Sequence, residues 1–284
     1  MKTFLLLLIA FSLHAQLSEN VHSSASIYAE HKDYSHSLQK KDGNVFGLGA
    51  DIHYKNAEYK LSYERGGANT KQPPMKKDLE FQKLFLRYAY KFQGKFALNI
   101  NYLSVLEDNI ALTDGGKIYG AGVSYFINKA NNINTTQYYS DYKDFNTYQT
   151  DLQFIHKMTL KSIKLKLTAI GKYIHITESK KNNFTKNAQR NYTTAGFKAH
   201  LHYKSYHFGA GAYFGKRAFA IMQEGFKLQH HAMEFDRTYA IAFGKTFSDL
   251  IVRVQYNYMR ATELPRDNAG VLVNNYRLIA NYKF

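Results

Sequence analysis

Residues 274–284, NNYRLIANYKF, are the stretch that decides the fold. Apolar side chains occupy every second position of this segment, at Tyr276, Leu278, Ala280, Tyr282 and Phe284. The positions between them hold Arg277, Ile279, Asn281 and Lys283. Because successive side chains of a strand point to opposite faces, the segment is predicted to be a β-strand with one apolar and one largely polar face.

The same alternation recurs along the chain in segments of about ten residues, without helical periodicity of any length. In one such segment Val252, Val254 and Tyr256 alternate with Arg253 and Gln255. The pattern indicates an all-β protein of about fourteen strands, with twelve to sixteen possible. A soluble sandwich would bury the apolar face, whereas a membrane barrel would expose it to lipid, and the alternation alone fits both.

The connections between the predicted strands favour the membrane barrel. Short turns, for example around Asn56 and Lys204-Ser205, alternate with longer polar stretches such as 66–80, 177–191 and 216–232. Outer-membrane barrels have short periplasmic turns and longer extracellular loops, whereas a sandwich has no reason to sort its loops by parity. An even number of strands also places both ends of the chain on the side of the short turns.

The first residues have the pattern of a secretory signal peptide. Met1-Lys2-Thr3 supplies a positive charge, Phe4 to Leu13 are almost entirely apolar, and Ala15 precedes a plausible cleavage point. The apolar run is too short to span a bilayer as a helix. The predicted organisation is therefore a signal peptide at 1–15 and a single antiparallel β-barrel at 16–284.

Composition excludes several other classes of protein. The 284 residues include 38 Lys and Arg against 22 Asp and Glu, a net charge of +16, with 24 Tyr, 20 Phe and no Cys. Without cysteine there is no disulfide scaffold and no Cys-ligated metal site, and no cofactor or metal site is predicted. The mean hydropathy of −0.45 argues against a polytopic helical membrane protein, which needs several apolar runs of about 20 residues.

Taken together, the terminal stripe, the signal peptide and the loop parity resemble Gram-negative outer-membrane β-barrel proteins, and the strand number resembles the small monomeric porins of fourteen strands. The resemblance implies that the barrel-assembly machinery recognises Tyr276, Leu278, Ala280, Tyr282 and Phe284. It also implies contact with outer-membrane lipid and lipopolysaccharide. Aromatic residues near short turns are expected to form the periplasmic girdle: Phe92, Phe96, Phe126, Phe243, Phe247, Tyr282 and Phe284.

Parity places many basic side chains on the lumen face. The candidates for the pore lining are Arg87, Lys91, Lys164, Lys166, Lys172, Lys198, Arg253 and Arg277, with Lys283 at the end of the last strand. Fewer acids share this face, namely Asp51, Glu58, Glu64, Asp151 and Asp236. Since rings of Lys and Arg favour anions, the sequence predicts a diffusion channel for small polar solutes that prefers anions. The alternative interpretation is that these charges pair with one another and with outer-leaflet phosphates.

Two other functions remain open from the sequence. One is a structural or adhesive barrel that does not conduct. The other is an outer-membrane hydrolase, for which Glu224, His230, Glu234 and Asp236 on one loop are weak candidates. Nucleic acid is not an expected partner, because the Lys and Arg residues are spread over strands and loops and the protein is expected to be exported.

Overall fold

A closed antiparallel barrel of fourteen strands forms the structure, a computed structural model that describes residues 21–73, 75–92, 94–108, 112–177, 187–229 and 231–284. The predicted signal peptide lies outside these ranges. The barrel strands are β1 (Val21–Ser35), β2 (Lys40–Tyr54), β3 (Ala57–Thr70), β4 (Leu79–Lys91), β5 (Phe96–Asp108), β6 (Lys117–Phe126), β7 (Asn131–Asp141), β8 (Asn146–Leu160), β9 (Ile163–Ile176), β10 (Asn191–Tyr203), β11 (Tyr206–Arg217), β14 (Met233–Phe247), β15 (Leu250–Glu263) and β16 (Asn268–Lys283).

Two further strands lie between β11 and β14 and do not join the barrel wall. These are β12 (Ile221–Met222) and β13 (Lys227–Leu228), which pair only with each other. Within the described ranges, no helix has the length and apolar character needed to cross a membrane.

The barrel closes where its first strand meets its last. β16 lies between β15 and β1, and its pairing with β1 runs from Ser24 opposite Lys283 to Ser35 opposite Leu272. Closure leaves no strand edge with unpaired N–H and C=O groups, which hydrocarbon cannot satisfy. The segment quoted first from the sequence therefore occupies the position that completes the wall.

Apolar and polar side chains are distributed inside out relative to a soluble protein. Ile241 and Ile100 on the outer face are 62% and 60% exposed, whereas Asn275 on the inner face is only 4% exposed. Large exposed apolar residues lie on the outer face of every barrel strand. The residues that alternate with them face inward, and many of these are polar. This distribution fits a barrel with lipid outside and a polar lumen, and the soluble sandwich is excluded by closure.

The strands extend further toward the long-loop end than the alternation predicts. β1 continues to Ser35 and β16 begins at Asn268, so the connections there span only 36–39 and 264–267. Beyond the lipid-facing belt both faces of a strand meet water, and the outer face becomes polar. There His31 of β1 and Asn44 of β2, which are neighbours on adjacent strands, form a side-chain hydrogen bond. The alternation of apolar and polar residues therefore ends before the hydrogen-bonded strand pairing does.

Most of the aromatic residues predicted for the girdle are exposed at the short-turn end of the barrel. Phe92, Phe96, Phe243, Phe247, Tyr282 and Phe284 are exposed at the short-turn end. Phe126 is wrong as a girdle residue, because its parity in β6 is inward and the Lys91 ammonium lies 5.1 Å from its ring centroid. Tyr125 takes the outer position instead and packs against Phe96 with ring centroids 5.1 Å apart.

Inward-facing tyrosines cover glycines on neighbouring strands. A Cβ at Gly47 or at Gly196 would overlap the ring of Tyr28 or of Tyr213, and one at Gly120 would lie 2.7 Å from the ring of Tyr138. The glycines leave room for aromatic rings that lie flat against the inner wall.

Gly47→Ala is expected to lower the free energy of unfolding by about 1–3 kcal/mol, because the added methyl group displaces the Tyr28 ring from a packed site. The matched control is Gly171→Ala, at a position where a Cβ would have no atom within 4 Å. Urea unfolding of both variants in lipid vesicles measures the difference. Equal stability of the two variants would contradict this account of the glycines.

Candidate functional site

The connection between β11 and β14 folds into the barrel. Residues 218–229 contain the small hairpin of β12 and β13, and this segment contacts inner-wall residues of β1 and β4 through its side chains and of β8 and β9 through its backbone. The sequence predicted 216–232 only as one of the long polar loops. We call residues 218–229 the lumen hairpin.

An apolar core holds the base of the lumen hairpin. Ala218, Phe219, Ala220 and Ile221 are fully buried and pack with residues at the long-loop end of the barrel, including Tyr142 and other members of the same cluster, Phe145, Ile174, Ile176 and Leu264. The Phe219 ring centroid lies 4.8 Å from that of Phe145. Burial of Phe219 and of Ile221 stabilises this position by about 2 kcal/mol each. The base of the hairpin is thus part of the packed structure.

A polar clamp on β8 and β9 holds the backbone of the first hairpin strand. The Gln149 amide accepts a hydrogen bond from the Ile221 N–H at 2.8 Å and donates one to the Ile221 carbonyl at 2.7 Å. Lys172 Nζ donates to the same carbonyl at 3.0 Å and forms a buried salt bridge with Asp151. These bonds replace the water that would otherwise satisfy a backbone segment buried inside the barrel.

The tip of the lumen hairpin lies beside β4 and borders the lumen cavities. Gln223, Glu224 and Gly225 have φ of 52°, 59° and 100°, so three successive residues are in the left-handed region that only glycine adopts without cost. Glu224 forms a salt bridge of 3.4 Å with Arg87, which also contacts Glu58 at 3.0 Å. Phe226 packs edge-on against Phe85, with ring centroids 5.9 Å apart.

The second hairpin strand is tied to the seam of the barrel through Glu30. This carboxylate is buried and pairs with Lys227 of the hairpin, with Lys32 at 3.2 Å and with Arg277 at 3.7 Å. The Arg277 guanidinium also lies 3.7 Å from the ring centroid of Tyr28. Three cations thus share one carboxylate at the junction of β1, β16 and the hairpin.

Cavities remain on three sides of the hairpin tip, and Gln223 borders all of them. A cavity of about 450 Å³ lies toward β11, β14, β15 and β16. Smaller cavities of about 190 Å³ and 220 Å³ lie toward β8–β10 and toward β1–β4. The hairpin therefore divides the lumen into narrow spaces, whereas the sequence left the degree of opening undetermined.

The predicted pore-lining cations fall into two groups. Arg87, Lys172 and Arg277 form salt bridges with Glu58 and Glu224, with Asp151, and with Glu30 respectively. In the described part of the chain, no carboxylate lies within 4 Å of the other five, which are Lys91, Lys164, Lys166, Lys198 and Arg253. Pairing thus accounts for three of the eight residues. Lys166 and Lys198 border the cavity toward β8–β10, and Arg253 borders the cavity of about 450 Å³.

Among the acids predicted to face the lumen, Glu58, Glu64 and Asp151 pair with lumen cations, and Asp51 lies 3.7 Å from Lys60. Asp236 differs, because it pairs at 2.7 Å with Arg260, whose parity in β15 is that of the outward-facing Tyr258. A shift in register between Phe235 and Arg237 breaks the alternation there, which parity counting along the sequence cannot detect.

Several important residues were missed by sequence reasoning. The inward position of Glu30 could have been predicted from alternation, because Glu30 lies two residues after Tyr28 in a predicted strand and so shares its face. Gln149 shares the face of Asp151 in the same way. Lys227 and Arg217 had no such signal, because their inward position depends on the path of the lumen hairpin and on a register shift between Phe214 and Arg217.

The structure does not bring together the residues considered for a hydrolase. Glu224 pairs with Arg87 at the hairpin tip, Glu234 with Lys216 at 2.8 Å, and Asp236 with Arg260. His230 lies outside the described residues. Among those that are described, no group of three or more His, Cys, Asp or Glu could hold a metal ion.

Comparison with known proteins identifies the fold. No protein-family model and no curated protein matches the chain. Among solved structures, it is similar to a bacterial polysaccharide outer membrane secretin, with a TM-score of 0.56, 11% identity and coverage of 94% of this chain and 99% of that one. The Ralstonia pickettii toluene transporter TbuX matches with a TM-score of 0.53, 10% identity and coverage of 95% and 90%. The NanC porin matches with a TM-score of 0.50, 12% identity and coverage of 91% and 100%. At these identities, the likeness establishes a shared barrel fold.

Gln149→Leu is expected to loosen the lumen hairpin, because the variant loses both hydrogen bonds to the Ile221 backbone. Limited proteolysis of the detergent-solubilised protein should then cleave faster within 221–229, while the barrel retains its heat-modifiable migration on gels. Gln153→Leu, on the same face of β8 but without a bond to the hairpin backbone, is the matched control. Cleavage at the same rate in both variants would show that the clamp does not hold the hairpin.

Proposed function

We propose that the protein is an outer-membrane channel for small hydrophilic solutes that prefers anions, and that the lumen hairpin narrows it. The observation that carries the proposal is the group of inner-wall cations that have no carboxylate partner among the described residues, Lys91, Lys164, Lys166, Lys198 and Arg253. Charges that are paired cancel at a distance, whereas these five give the lumen a positive potential that attracts anions. The lipid-facing apolar belt and the closed wall support placement in a membrane.

A non-conducting barrel is the second candidate, and one observation favours it. Two apolar cores fill the long-loop end of the structure, one around Phe219 and one around Val271, Val273 and Met233. Such packing narrows the outer entrance. Single-channel recording distinguishes the two candidates, since stable conductance steps support the channel and a silent bilayer supports a structural or adhesive barrel.

Removal of two unpaired cations should weaken anion preference. The Lys166→Gln, Lys198→Gln double variant is expected to lower the chloride-to-potassium permeability ratio about two-fold or more, because both side chains border the same lumen space. The reversal potential in a KCl gradient measures the ratio. Lys129→Gln with Lys161→Gln removes the same charge from exposed short turns and should change the ratio little. A channel that prefers cations before any substitution would overturn the proposal.

Removal of the hairpin tests the second part of the proposal. Replacement of residues 221–228 by a short glycine-serine linker takes away the clamp to β8 and the tie to Glu30, and should raise single-channel conductance several-fold. Barrels of fourteen strands are wide enough for a water-filled lumen once nothing fills it. Unchanged conductance in a correctly inserted variant would mean that the ions do not pass beside the hairpin.

A further inference from the structure

A lumen cavity of about 450 Å³ lies between the lumen hairpin and the wall made by β11, β14, β15, β16 and β1. Its volume falls in the range of sites that hold small organic molecules. Met222 and Leu228 of the hairpin border it on one side, and side chains of the barrel strands border it on the other. The charges and the apolar residues of this lining indicate what it can bind.

Cations dominate the charged lining of the cavity. Six Lys and Arg side chains border it, together with two histidines and the single carboxylate of Glu30; the six are Lys32, Lys198, Arg217, Lys227, Arg253 and Arg277, and the histidines are His200 and His231. Glu30 already pairs with Lys227, with Lys32 at 3.2 Å and with Arg277 at 3.7 Å. The remaining three cations, on β10, β11 and β15, therefore have no acidic partner among the described residues.

Arg217 is the most informative of these cations, because it is fully buried. Its Nη2 donates to Thr238 Oγ1, and its guanidinium lies 5.5 Å from the ring centroid of Tyr213 and 5.7 Å from that of Phe235. Nε and Nη1 have no hydrogen-bond acceptor in the described part of the chain. A buried cation with unsatisfied donors is strongly unfavourable unless an anion completes it.

Apolar side chains form the other part of the lining. Met233, Phe235, Met259 and Val273 border the cavity close to the long-loop end, and Phe235 also stacks against Arg217. A simple hydrated ion would leave this surface without a partner. The combination suits a molecule that carries an anionic group for the guanidinium and an apolar body for the methionine and phenylalanine side chains.

We propose that this cavity binds an organic dianion with an apolar body, such as an aryl or alkyl phosphate or dicarboxylate, and that Arg217 is the principal anion contact with Arg253 and Lys198 as further contacts. The proposal rests on the proposed function in one respect, since the ligand reaches the cavity through the lumen. The bidentate geometry of a guanidinium suits phosphate and carboxylate oxygens equally, so the two anionic groups are separated by experiment.

Binding of phenyl phosphate to the full-length, detergent-solubilised protein tests the site by isothermal titration calorimetry. Phenyl phosphate is expected to bind at least ten-fold more tightly than inorganic phosphate, which lacks the apolar body, and phenol should not bind measurably. Phthalate forms the carboxylate arm, and its affinity relative to phenyl phosphate shows which anionic group the site prefers. Failure of both phenyl phosphate and phthalate to bind would overturn the proposal.

Arg217→Met is expected to weaken binding of phenyl phosphate at least ten-fold, and without ligand to be as resistant to heat as the parent protein or more so, since it removes an uncompensated buried charge. A merely structural arginine would show the opposite, a less heat-resistant variant. Arg260→Met, an exposed arginine at the outer end of β15, is the matched control and should bind normally. If Arg217→Met does not fold, Arg253→Met provides the same test at a less buried position, again with an expected loss of affinity.

Binding and conduction can fail separately. A channel with anion preference that binds neither phenyl phosphate nor phthalate would overturn the site and leave the proposed function intact. A protein that binds phenyl phosphate through Arg217 but never conducts would support the site and overturn the channel. Affinity unchanged by both Arg217→Met and Arg253→Met would place the ligand elsewhere and overturn the site.

Discussion

The structure depends on one constraint, that backbone N–H and C=O groups facing hydrocarbon must be hydrogen-bonded within the protein. The pairing of β1 with β16 meets it, because it turns an open sheet with two unsatisfied edges into a closed wall. Within the lipid-facing belt, closure makes the outer side chains meet lipid and the inner side chains meet the lumen. The exposed Leu278 and the buried Arg277, adjacent in one strand, are a direct result.

Closure also creates a lumen, part of which is filled by the chain itself. Fourteen strands enclose more volume than their own side chains fill, and the lumen hairpin occupies part of it. Its polar backbone can lie there because Gln149 and Lys172 supply hydrogen bonds, and its charges can lie there because Glu30 and Arg87 supply partners. At Arg217 this matching is incomplete, since two of its buried donors, Nε and Nη1, have no acceptor among the described residues.

Sequence reasoning succeeded where structure follows from a two-residue period. The apolar stripe from Tyr276 to Phe284 and the number of strands appear in the barrel as predicted, whereas the connections 36–39 and 264–267, which were expected to be long, are as short as the turns at the other end. It failed at Phe126, which was assigned to the girdle because it lies near a short turn although its parity is inward, and at Asp236, where a shift of register reverses the face. Alternation places side chains only as long as the ladder is regular.

The amino-acid sequence by itself determined that this chain makes a barrel and which face of each strand meets lipid, because both depend on local periodicity and on the solvent outside. Only the tertiary structure decided which inner charges are paired, where 218–229 lies and that Arg217 borders a cavity with no carboxylate partner among the described residues. Those features depend on contacts across the lumen between strands far apart in the chain, such as Glu30 with Lys227. Periodicity gives the direction of a side chain but not what it meets.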